Sequence, residues 1–483
     1  MRSRATYSHS SLLVLGALAL LVALLLPAAA LAAPKAEAPA QPQPQSKSKP
    51  AKSRGSLLQL PGANGCLVDR SAPSGKCGVA RALKGPGVGF GSRAIAVSPD
   101  GRNVYVASSK SNAIAIFRRN AKTGKLTQPK GPAGCIASRG PSSCAAAVGL
   151  DGPNSVAISP DGRSVYATSR GASSLTVFSR SPKSGALTQL PAGFGCISGL
   201  PVPVCSTGHA LIDPDVVVIS PDGLNVYVGA FAGNAVVTFN RDPGSGALAQ
   251  PSGIGGCIAE AVSGCAVGIG LRAVEGLAVT STGVYTGSAS SNAVAVLTRN
   301  PSTGALAQAT GGSGCLVSTP LTGCTNGYEF KGANAVAVSP GGKDVYVTSL
   351  LSNSVTSFTR NAKSGNLAQK EGTAGCLVWL RAVGCSFGQA LSAPEGLEVS
   401  PDGANVYVAA MKTGAIVVLD RNKAGEVVQK EGRAGCLAPK SVPGCTLATA
   451  LRGVSSVALS PDGRNLYSTS FGSNAVDIFR RIK

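Results

Sequence analysis

The stretch SPDGRNVYV, residues 98–106, decides the fold of this chain. Proline fixes one backbone angle of a tight turn, and Gly101 supplies the positive φ that such a turn requires. A short apolar run, Val104–Ala107, follows, which is typical of a β-strand. The tyrosine of this unit recurs every 58 to 61 residues, at Tyr105, Tyr166, Tyr227, Tyr285, Tyr346, Tyr407 and Tyr467. Seven structural repeats are therefore predicted.

Each repeat is predicted to hold four strands, and the fourth carries the pattern Gly-x-Leu-x-Gln. This pattern first occurs at Gly55–Gln59, before any complete repeat, whereas the last repeat stops at Lys483 without it. The N-terminal strand is thus expected to complete the last blade, which would close the sheets into a ring without exposed edges. The prediction is an all-β, seven-bladed β-propeller of four-stranded blades over residues 55–483.

Cysteine gives an independent count of seven. The fourteen cysteines form close pairs, each in the long connection that follows a fourth strand: Cys66 with Cys77, Cys135 with Cys144, Cys196 with Cys205, Cys257 with Cys265, Cys315 with Cys324, Cys376 with Cys385, and Cys436 with Cys445. A zinc site is disfavoured because C-x-x-C spacing is absent and His209 is the only histidine after the N-terminal segment. We expect seven local disulfides and no metal bound by cysteine.

The N-terminus has the pattern of an export signal. Arg2 and Arg4 precede an apolar run, and small residues at Ala30 and Ala32 form a cleavage motif. Residues 1–33 are predicted to be a signal peptide, with an uncleaved membrane anchor as the alternative. Residues 34–54, rich in Pro, Ala and Lys, are expected to be a linker. The chain is therefore predicted to be secreted or attached to the cell envelope.

The formal net charge of +22 raises the question of an anionic partner. The basic residues stand singly or in pairs, and aromatic residues make up only 4% of the chain, so a base-stacking surface for nucleic acid is not indicated. We expect no nucleic-acid partner. Electrostatic association with an anionic envelope remains open.

The repeat unit, with its downstream NAIAIF and TGKLTQ segments, resembles the YVTN-type and lactonase-like seven-bladed propellers, a group that includes 6-phosphogluconolactonase. The resemblance spans residues 55–483 and implies the scaffold. Members of the lactonase-like group often carry Pro-His where the first strand of a blade begins. The matching dipeptides here, at Pro153, Pro214 and Pro394, are followed by Asn, Asp and Glu.

A ring of polar residues is the candidate site. Five positions before each turn serine, or before Thr280 in the fourth repeat, the residues are Arg93, Asn154, Asp215, Glu275, Asn334, Glu395 and Ser455. We predict that this polar ring lies at the channel mouth and that all but Ser455 bind a ligand such as a sugar, an amine or a calcium ion. Asp215, Glu275 and Glu395 are the candidate catalytic carboxylates. The alternative is that the ring only hydrates the channel and caps backbone groups.

A binding module is the function that the sequence favours. It would present its disulfide-loop face and channel mouth to a protein or glycan partner, as a monomer and without a cofactor other than calcium. The alternatives are a lactonase-like hydrolase or isomerase that uses the channel carboxylates, and a structural component of a surface layer. His-based catalysis is disfavoured because the exported chain holds a single histidine. Enzymatic activity through the carboxyl groups remains open, but it is not the preferred interpretation.

The disulfide hypothesis predicts the outcome of peptide mapping under non-reducing conditions. Each cysteine should be recovered linked to its near neighbour, for example Cys196 to Cys205, because every pair lies within one short loop. Free thiols in most loops, or links between different repeats, would contradict the hypothesis.

Overall fold

The computed structural model describes residues 53–73, 75–87, 93–138, 143–439 and 442–483. The predicted signal peptide and most of the predicted linker lie outside these residues. The described residues form seven six-stranded sheets, which are the seven blades. Among these residues, none of the helices combines the length and the apolar character needed to cross a bilayer.

Three consecutive antiparallel strands form the inner part of each blade. Strand a, nearest the channel, comprises Ile95–Val97, Pro153–Ile158, Pro214–Ile219, Val274–Val279, Ala333–Val338, Pro394–Val399 and Val454–Leu459 in blades 1 to 7. Strand b comprises Asn103–Ser108, Ser164–Ser169, Asn225–Ala230, Gly283–Ser288, Asp344–Ser349, Asn405–Ala410 and Asn465–Ser470. Strand c comprises Ala113–Arg119, Ser174–Arg180, Ala235–Arg241, Ala293–Arg299, Ser354–Arg360, Ala415–Arg421 and Ala475–Arg481.

Three shorter strands complete the outer part of each blade. Strand d comprises Leu126–Thr127, Leu187–Gln189, Leu248–Ala249, Leu306–Gln308, Leu367–Gln369, Val427–Gln429 and, in blade 7, Leu57–Gln59. Strand e comprises Cys135–Ala137, Cys196–Ser198, Cys257–Ala259, Cys315–Val317, Cys376–Val378, Cys436–Ala438 and, in blade 7, Cys66–Asp69. Strand f comprises Ala145–Ala146, Ser206–Thr207, Ala266–Val267, Thr325–Asn326, Ser386–Phe387, Thr446–Leu447 and, in blade 7, Gly78–Ala80.

The structure thus adds two strands to the four that the sequence predicts for each blade. Strand c is seven residues long, so its two ends bond to different partners. In blade 1, Arg119 pairs with Leu126 of strand d, whereas Ala113 pairs with Ala137 of strand e. Strand f then pairs in parallel with strand e. Short 3-10 helices also occur, at Gly62–Asn64, Ser109–Ser111, Gly131–Gly134, Gly253–Gly255, Gly311–Gly314, Gly372–Ala374 and Gly432–Gly435.

The N-terminal segment closes the ring as the sequence predicts. Leu57 pairs with Arg481 and Gln59 pairs with Phe479, so strand d of blade 7 comes from the start of the propeller. Strand e of the same blade is also N-terminal, since Cys66 pairs with Asp477. This arrangement joins the two ends of the propeller in one sheet and confirms the predicted closure.

The disulfides confirm the predicted pairing of all fourteen cysteines. Each bridge joins the first residue of strand e to the cysteine just before strand f, with Cα–Cα distances of 4.8 to 4.9 Å. From blade 7 through blades 1 to 6, the bridges are Cys66 to Cys77, Cys135 to Cys144, Cys196 to Cys205, Cys257 to Cys265, Cys315 to Cys324, Cys376 to Cys385, and Cys436 to Cys445. The two strands are parallel and therefore need a crossover connection, here a loop of only a few residues. The bridge holds that short connection closed at the outer edge of every blade.

The core lies between neighbouring blades. Each apolar cluster draws residues from two adjacent sheets, as where Ile114 and Ile116 of blade 1 pack with Val165 and Phe178 of blade 2. The seven repeat tyrosines are all fully buried. Residues of strands b and c alternate between the two faces of the sheet, and because a blade has a neighbour on both sides, both faces are apolar.

Closure of the ring predicts a large effect of trimming Leu57, which is 3% exposed in the core between blades 6 and 7. Leu57→Ala should lower the free energy of unfolding by about 2–5 kcal/mol, because the cavity forms in a packed interface. Val428→Ala, on strand d of blade 6 and 60% exposed, is the matched control and should change it by less than about 0.5 kcal/mol. Urea unfolding with intact disulfides measures both. Equal, small effects would show that the N-terminal strand is dispensable.

Candidate functional site

The polar ring owes its position to a backbone irregularity that recurs in the blades. In blades 2 to 7 the pairing of strand a with strand b shifts register at the ring residue, as between Pro153 and Ser155. Such a bulge leaves one residue unpaired and redirects its side chain. The six redirected residues are Asn154, Asp215, Glu275, Asn334, Glu395 and Ser455. The repeat therefore places one polar side chain per blade at the same level.

The two asparagines of the ring fasten adjacent blades. The Nδ2 group of Asn154 donates to the backbone oxygen of Asp215 at 2.9 Å, and its Oδ1 accepts from the hydroxyl of Thr168 at 3.1 Å. Asn334 repeats this arrangement with the backbone oxygen of Pro394, at 3.0 Å, and the hydroxyl of Thr348, at 2.8 Å. Both amides thus make hydrogen bonds within the propeller.

The three carboxyl groups of Asp215, Glu275 and Glu395, here called the carboxyl cluster, behave differently. Their exposed fractions are 0%, 4% and 1%, so they lie buried and do not stand open at the channel mouth. Asp215 Oδ1 accepts from Asn154. Asp215 Oδ2 and Glu395 Oε1 are buried without a hydrogen-bond partner among the described residues. An unpaired buried acceptor is costly, and a ligand that donates hydrogen bonds would remove that cost.

The members of the carboxyl cluster influence one another electrostatically. Burial raises the pKa of Asp215 to about 7, partly offset by the nearby guanidinium of Arg170. Burial and the charge of Asp215 raise the pKa of Glu275 to about 8. Burial, followed by the charges of Glu275 and Asp215, raises the pKa of Glu395 well above its ordinary value. The fold therefore brings together carboxyl groups from blades 3, 4 and 6.

Arg170, at the turn between strands b and c of blade 2, is a member of this site that the sequence analysis did not assign. Its Nε lies 2.7 Å from Asp213 Oδ1, its Nη1 lies 3.6 Å from Asp215 Oδ1, and its guanidinium stacks over the ring of Phe231 at 4.7 Å. A signal existed in the sequence, because Arg170 is the only charged residue at its position among the seven repeats. Arg170 supplies the positive charge nearest to Asp215.

Arg93 does not join the carboxyl cluster as the sequence analysis expected. It lines a separate channel cavity of about 440 Å³, whose described lining comes mainly from the inner strands. Glu398 also lines this cavity, and Arg93 is the one ring residue among the described lining. The Nη2 group of Arg93 donates to the backbone oxygen of Val336 in blade 5, at 3.3 Å. Burial raises the pKa of Glu398 to about 7, and the charge of Arg93 opposes that rise. The polar ring is thus divided between two environments.

His209 and Trp379 lie outside the polar ring. His209 lies near Cys257 and Cys265, which is the one group of three potential metal ligands within 4.8 Å of each other among the described residues. Both of these cysteines are in a disulfide, so the group is not a thiolate site. Trp379 is half-buried and stacks on Phe387 with ring centroids 6.2 Å apart.

The chain matches the model of one protein family over most of its length. The model of the family described as Lactonase, 7-bladed beta-propeller, matches residues 88–135, 136–253 and 280–443. No curated protein matches the chain.

Solved structures with similar folds have low sequence identity. A proposed 6-phosphogluconolactonase from Bacteroides uniformis ATCC 8492 is 18% identical with a TM-score of 0.50, covering 76% of this chain and 88% of that chain. Another, from Bacteroides fragilis NCTC 9343, is 18% identical with a TM-score of 0.48, covering 69% and 81%. The periplasmic gluconolactonase of Pseudomonas aeruginosa is 20% identical with a TM-score of 0.47, covering 69% and 82%. At such identity the likeness to the Bacteroides uniformis protein concerns the fold alone.

The raised pKa of Glu275 predicts a pH-dependent stability difference. The folded-state pKa lies above the ordinary value of 4.5, so this group favours the folded state at low pH, and its contribution is lost as the pH rises through 8. Glu275→Gln, which mimics the protonated form, should match the wild type at pH 4 and exceed its stability at pH 9 by on the order of a few kcal/mol.

Calorimetry at the two pH values provides the measurement. The matched control is Glu431→Gln, since Glu431 is an exposed glutamate of blade 6. The control should differ from the wild type by the same small amount at both pH values. A stability difference for Glu275→Gln that does not change with pH would contradict the assigned environment.

Proposed function

This chain belongs to the Lactonase family of seven-bladed β-propellers, and we propose that its carboxyl cluster binds an uncharged, hydroxyl-rich ligand of the sugar-lactone class. The observation that carries the proposal is the pair of buried carboxyl oxygens, Asp215 Oδ2 and Glu395 Oε1, that lack partners among the described residues. Ligand hydroxyl groups donate the hydrogen bonds that these oxygens need. A ligand that fills this position satisfies groups that are otherwise left unpaired.

The charge of the cluster selects against anionic ligands. Three carboxyl groups face one nearby guanidinium, that of Arg170, which is already paired with Asp213. Whenever members of the cluster are ionised, a phosphorylated lactone is repelled, and burial strengthens the repulsion because the surroundings screen charge poorly. An unphosphorylated lactone or another neutral sugar derivative avoids that cost. A cation, including calcium, is the other ligand class that the charge permits.

Lactone hydrolysis is the second candidate function, and the pKa values of Asp215 and Glu275, about 7 and about 8, favour it. Groups that titrate near neutral pH are suited to general acid–base catalysis. Asp215, with the lower pKa, would take a proton from the attacking water. Glu275, still protonated, would give a proton to the ring oxygen as the acyl–oxygen bond breaks. The products are the open-chain hydroxy acid, a protonated Asp215 and an ionised Glu275. Transfer of a proton from Asp215 to Glu275 then restores the starting pair.

The proposed setting is outside the cytoplasm. Seven disulfides are consistent with an extracellular or periplasmic location, because such bonds persist in oxidising compartments. We place the protein there as a secreted or envelope-associated monomer. A neutral lactone suits that setting because, unlike a phosphorylated lactone, its formation does not require a phosphorylation step inside the cell.

The test uses glucono-δ-lactone and 6-phosphogluconolactone with the wild type and with Asp215→Asn, Glu275→Gln and Glu395→Gln. Calorimetry with glucose, a neutral sugar that the protein cannot hydrolyse, measures binding, and titration of released acid measures hydrolysis. If the second function holds, Asp215→Asn and Glu275→Gln should lower hydrolysis of the neutral lactone by about 100-fold or more. Glu431→Gln serves as the exposed control.

Each outcome decides between the two functions. Binding that all three cluster variants weaken, without hydrolysis by the wild type, supports the binding module alone. Hydrolysis that the variants abolish supports the enzyme. Equal binding and hydrolysis in the wild type and every variant, or a preference for the phosphorylated lactone, would overturn the assignment of this cluster.

A further inference from the structure

A basic cleft between blades 7 and 1, on the outside of the propeller, lies apart from the carboxyl cluster and the channel. It has a volume of about 530 Å³, within the range of about 300–1,000 Å³ that is typical of ligand sites. Strands e and f of blade 7 form one wall, and strand d of blade 1 with the following turn forms the other. Four cationic side chains line it, those of Arg70, Arg81, Lys125 and Lys130. None of the described lining residues is acidic.

The two lysines of this cleft have no basic equivalent in the other repeats of the chain. The residue equivalent to Lys125, just after the glycine that begins the strand d pattern, is Ala186, Ala247, Ala305, Asn366, Glu426 or Ser56 in the other blades. The residue equivalent to Lys130, two positions after the strand d glutamine, is Pro191, Ser252, Thr310, Glu371, Glu431 or Pro61. Blades 5 and 6 thus carry a glutamate where blade 1 carries Lys130.

Arg81 is also exceptional among its equivalents. Its backbone N–H donates to the side chain of the strand d glutamine of the next blade, Gln128, at 2.8 Å. The residues that make the same bond in the other six clefts are Val148, His209, Ile269, Tyr328, Gln389 and Thr449. The Nη2 group of Arg81 donates to the backbone oxygens of Pro129 and Gly131, at 2.8 and 3.1 Å. These bonds hold its charge at the floor of the cleft without neutralising it.

The charges of this cleft are not compensated by ion pairs within the described part of the chain, where none of the four cations is within 4.0 Å of a carboxylate. Comparable lysines elsewhere are paired, with Lys370 Nζ 3.0 Å from Asp344 and Lys430 Nζ 2.6 Å from Asp420. The carboxylate next to Arg70, that of Asp69, accepts hydrogen bonds from Ser71 and from the backbone of Leu83 and is buried. Four like charges around one concave surface create a positive potential that favours an anion.

We propose that this cleft binds a segment of an acidic polysaccharide. A chain of repeated negative charges matches three exposed cations along the cleft and one at its floor, whereas a single small anion would engage only part of them. The described lining contains no aromatic residue on which a nucleic-acid base could stack. The polar cleft also suits a hydroxyl-bearing chain, because the side chains of Asn64 and Thr127 line it together with the cations.

The experiment measures binding of fluorescently labelled oligogalacturonate to the full chain by anisotropy, with dextran sulfate, neutral dextran and polyphosphate as competitors. The variant is Lys125→Ala with Lys130→Ser, which introduces the residues that blade 3 already carries as Ala247 and Ser252 and therefore preserves the fold. Binding should weaken by about tenfold, and added salt should weaken wild-type binding further.

The matched control is Lys183→Ser with Lys363→Ser, which removes two exposed charges from other blades and introduces the residue that blade 4 carries as Ser302. This control should bind the probe as the wild type does. Equal loss of probe binding in both double variants would show that the effect depends on net charge alone and would overturn the proposal. Competition by polyphosphate without competition by dextran sulfate would overturn it too. Asp215→Asn should leave this binding unchanged, which separates the cleft from the proposed function of the carboxyl cluster.

Discussion

The hydrogen-bonded contact between an arginine and a tyrosine of neighbouring blades is the interaction on which the rest of the structure depends. Arg180, at the end of strand c of blade 2, donates from Nε to the hydroxyl of Tyr105 in blade 1, at 2.8 Å. The same guanidinium pairs with Asp100 of the blade 1 turn, and the hydroxyl of Tyr105 donates to the backbone oxygen of Gly185. A buried guanidinium is tolerated because each of these bonds satisfies it.

This contact occurs between every pair of neighbours, including blades 7 and 1, where Arg119 meets Tyr467 at 2.9 Å. The additional pairing of the arginine with a turn aspartate has two exceptions, which follow from the turn sequence. Blade 4 lacks the turn aspartate, and Arg360 bonds instead to Thr282. Blade 5 lacks it too, and Arg421 pairs with Asp344, the first residue of strand b. Because the contact uses the turns between strands a and b and between c and d, it holds one face of the ring nearly invariant and leaves the opposite face free to vary.

Both proposed sites arise where the repeat departs from its own pattern. The bulge of strand a would place a small polar residue at each position of the ring, yet blades 3, 4 and 6 carry carboxyl groups there. The cleft beside blade 1 likewise carries Arg81, Lys125 and Lys130, at positions where the other blades hold no lysine or arginine. The result is a buried acidic site inside a strongly basic protein. A symmetric framework supplies equal positions, and the few unequal side chains supply specificity.

The sequence by itself determined the number of blades, the closure by the N-terminal strand and the pairing of the cysteines. These depend on local turn chemistry and on spacing within one repeat, both of which can be read along the chain. Only the tertiary structure decided that strand c is long enough to bond to both strand d and strand e, and that Arg93 lies near Glu398 and bonds to Val336. It also decided that Arg170 meets Asp215 and that Lys125 shares a cleft with Arg70. The physical reason is that these contacts join different blades, so ring geometry and side-chain direction set them, and neither is encoded in the pattern of a single repeat.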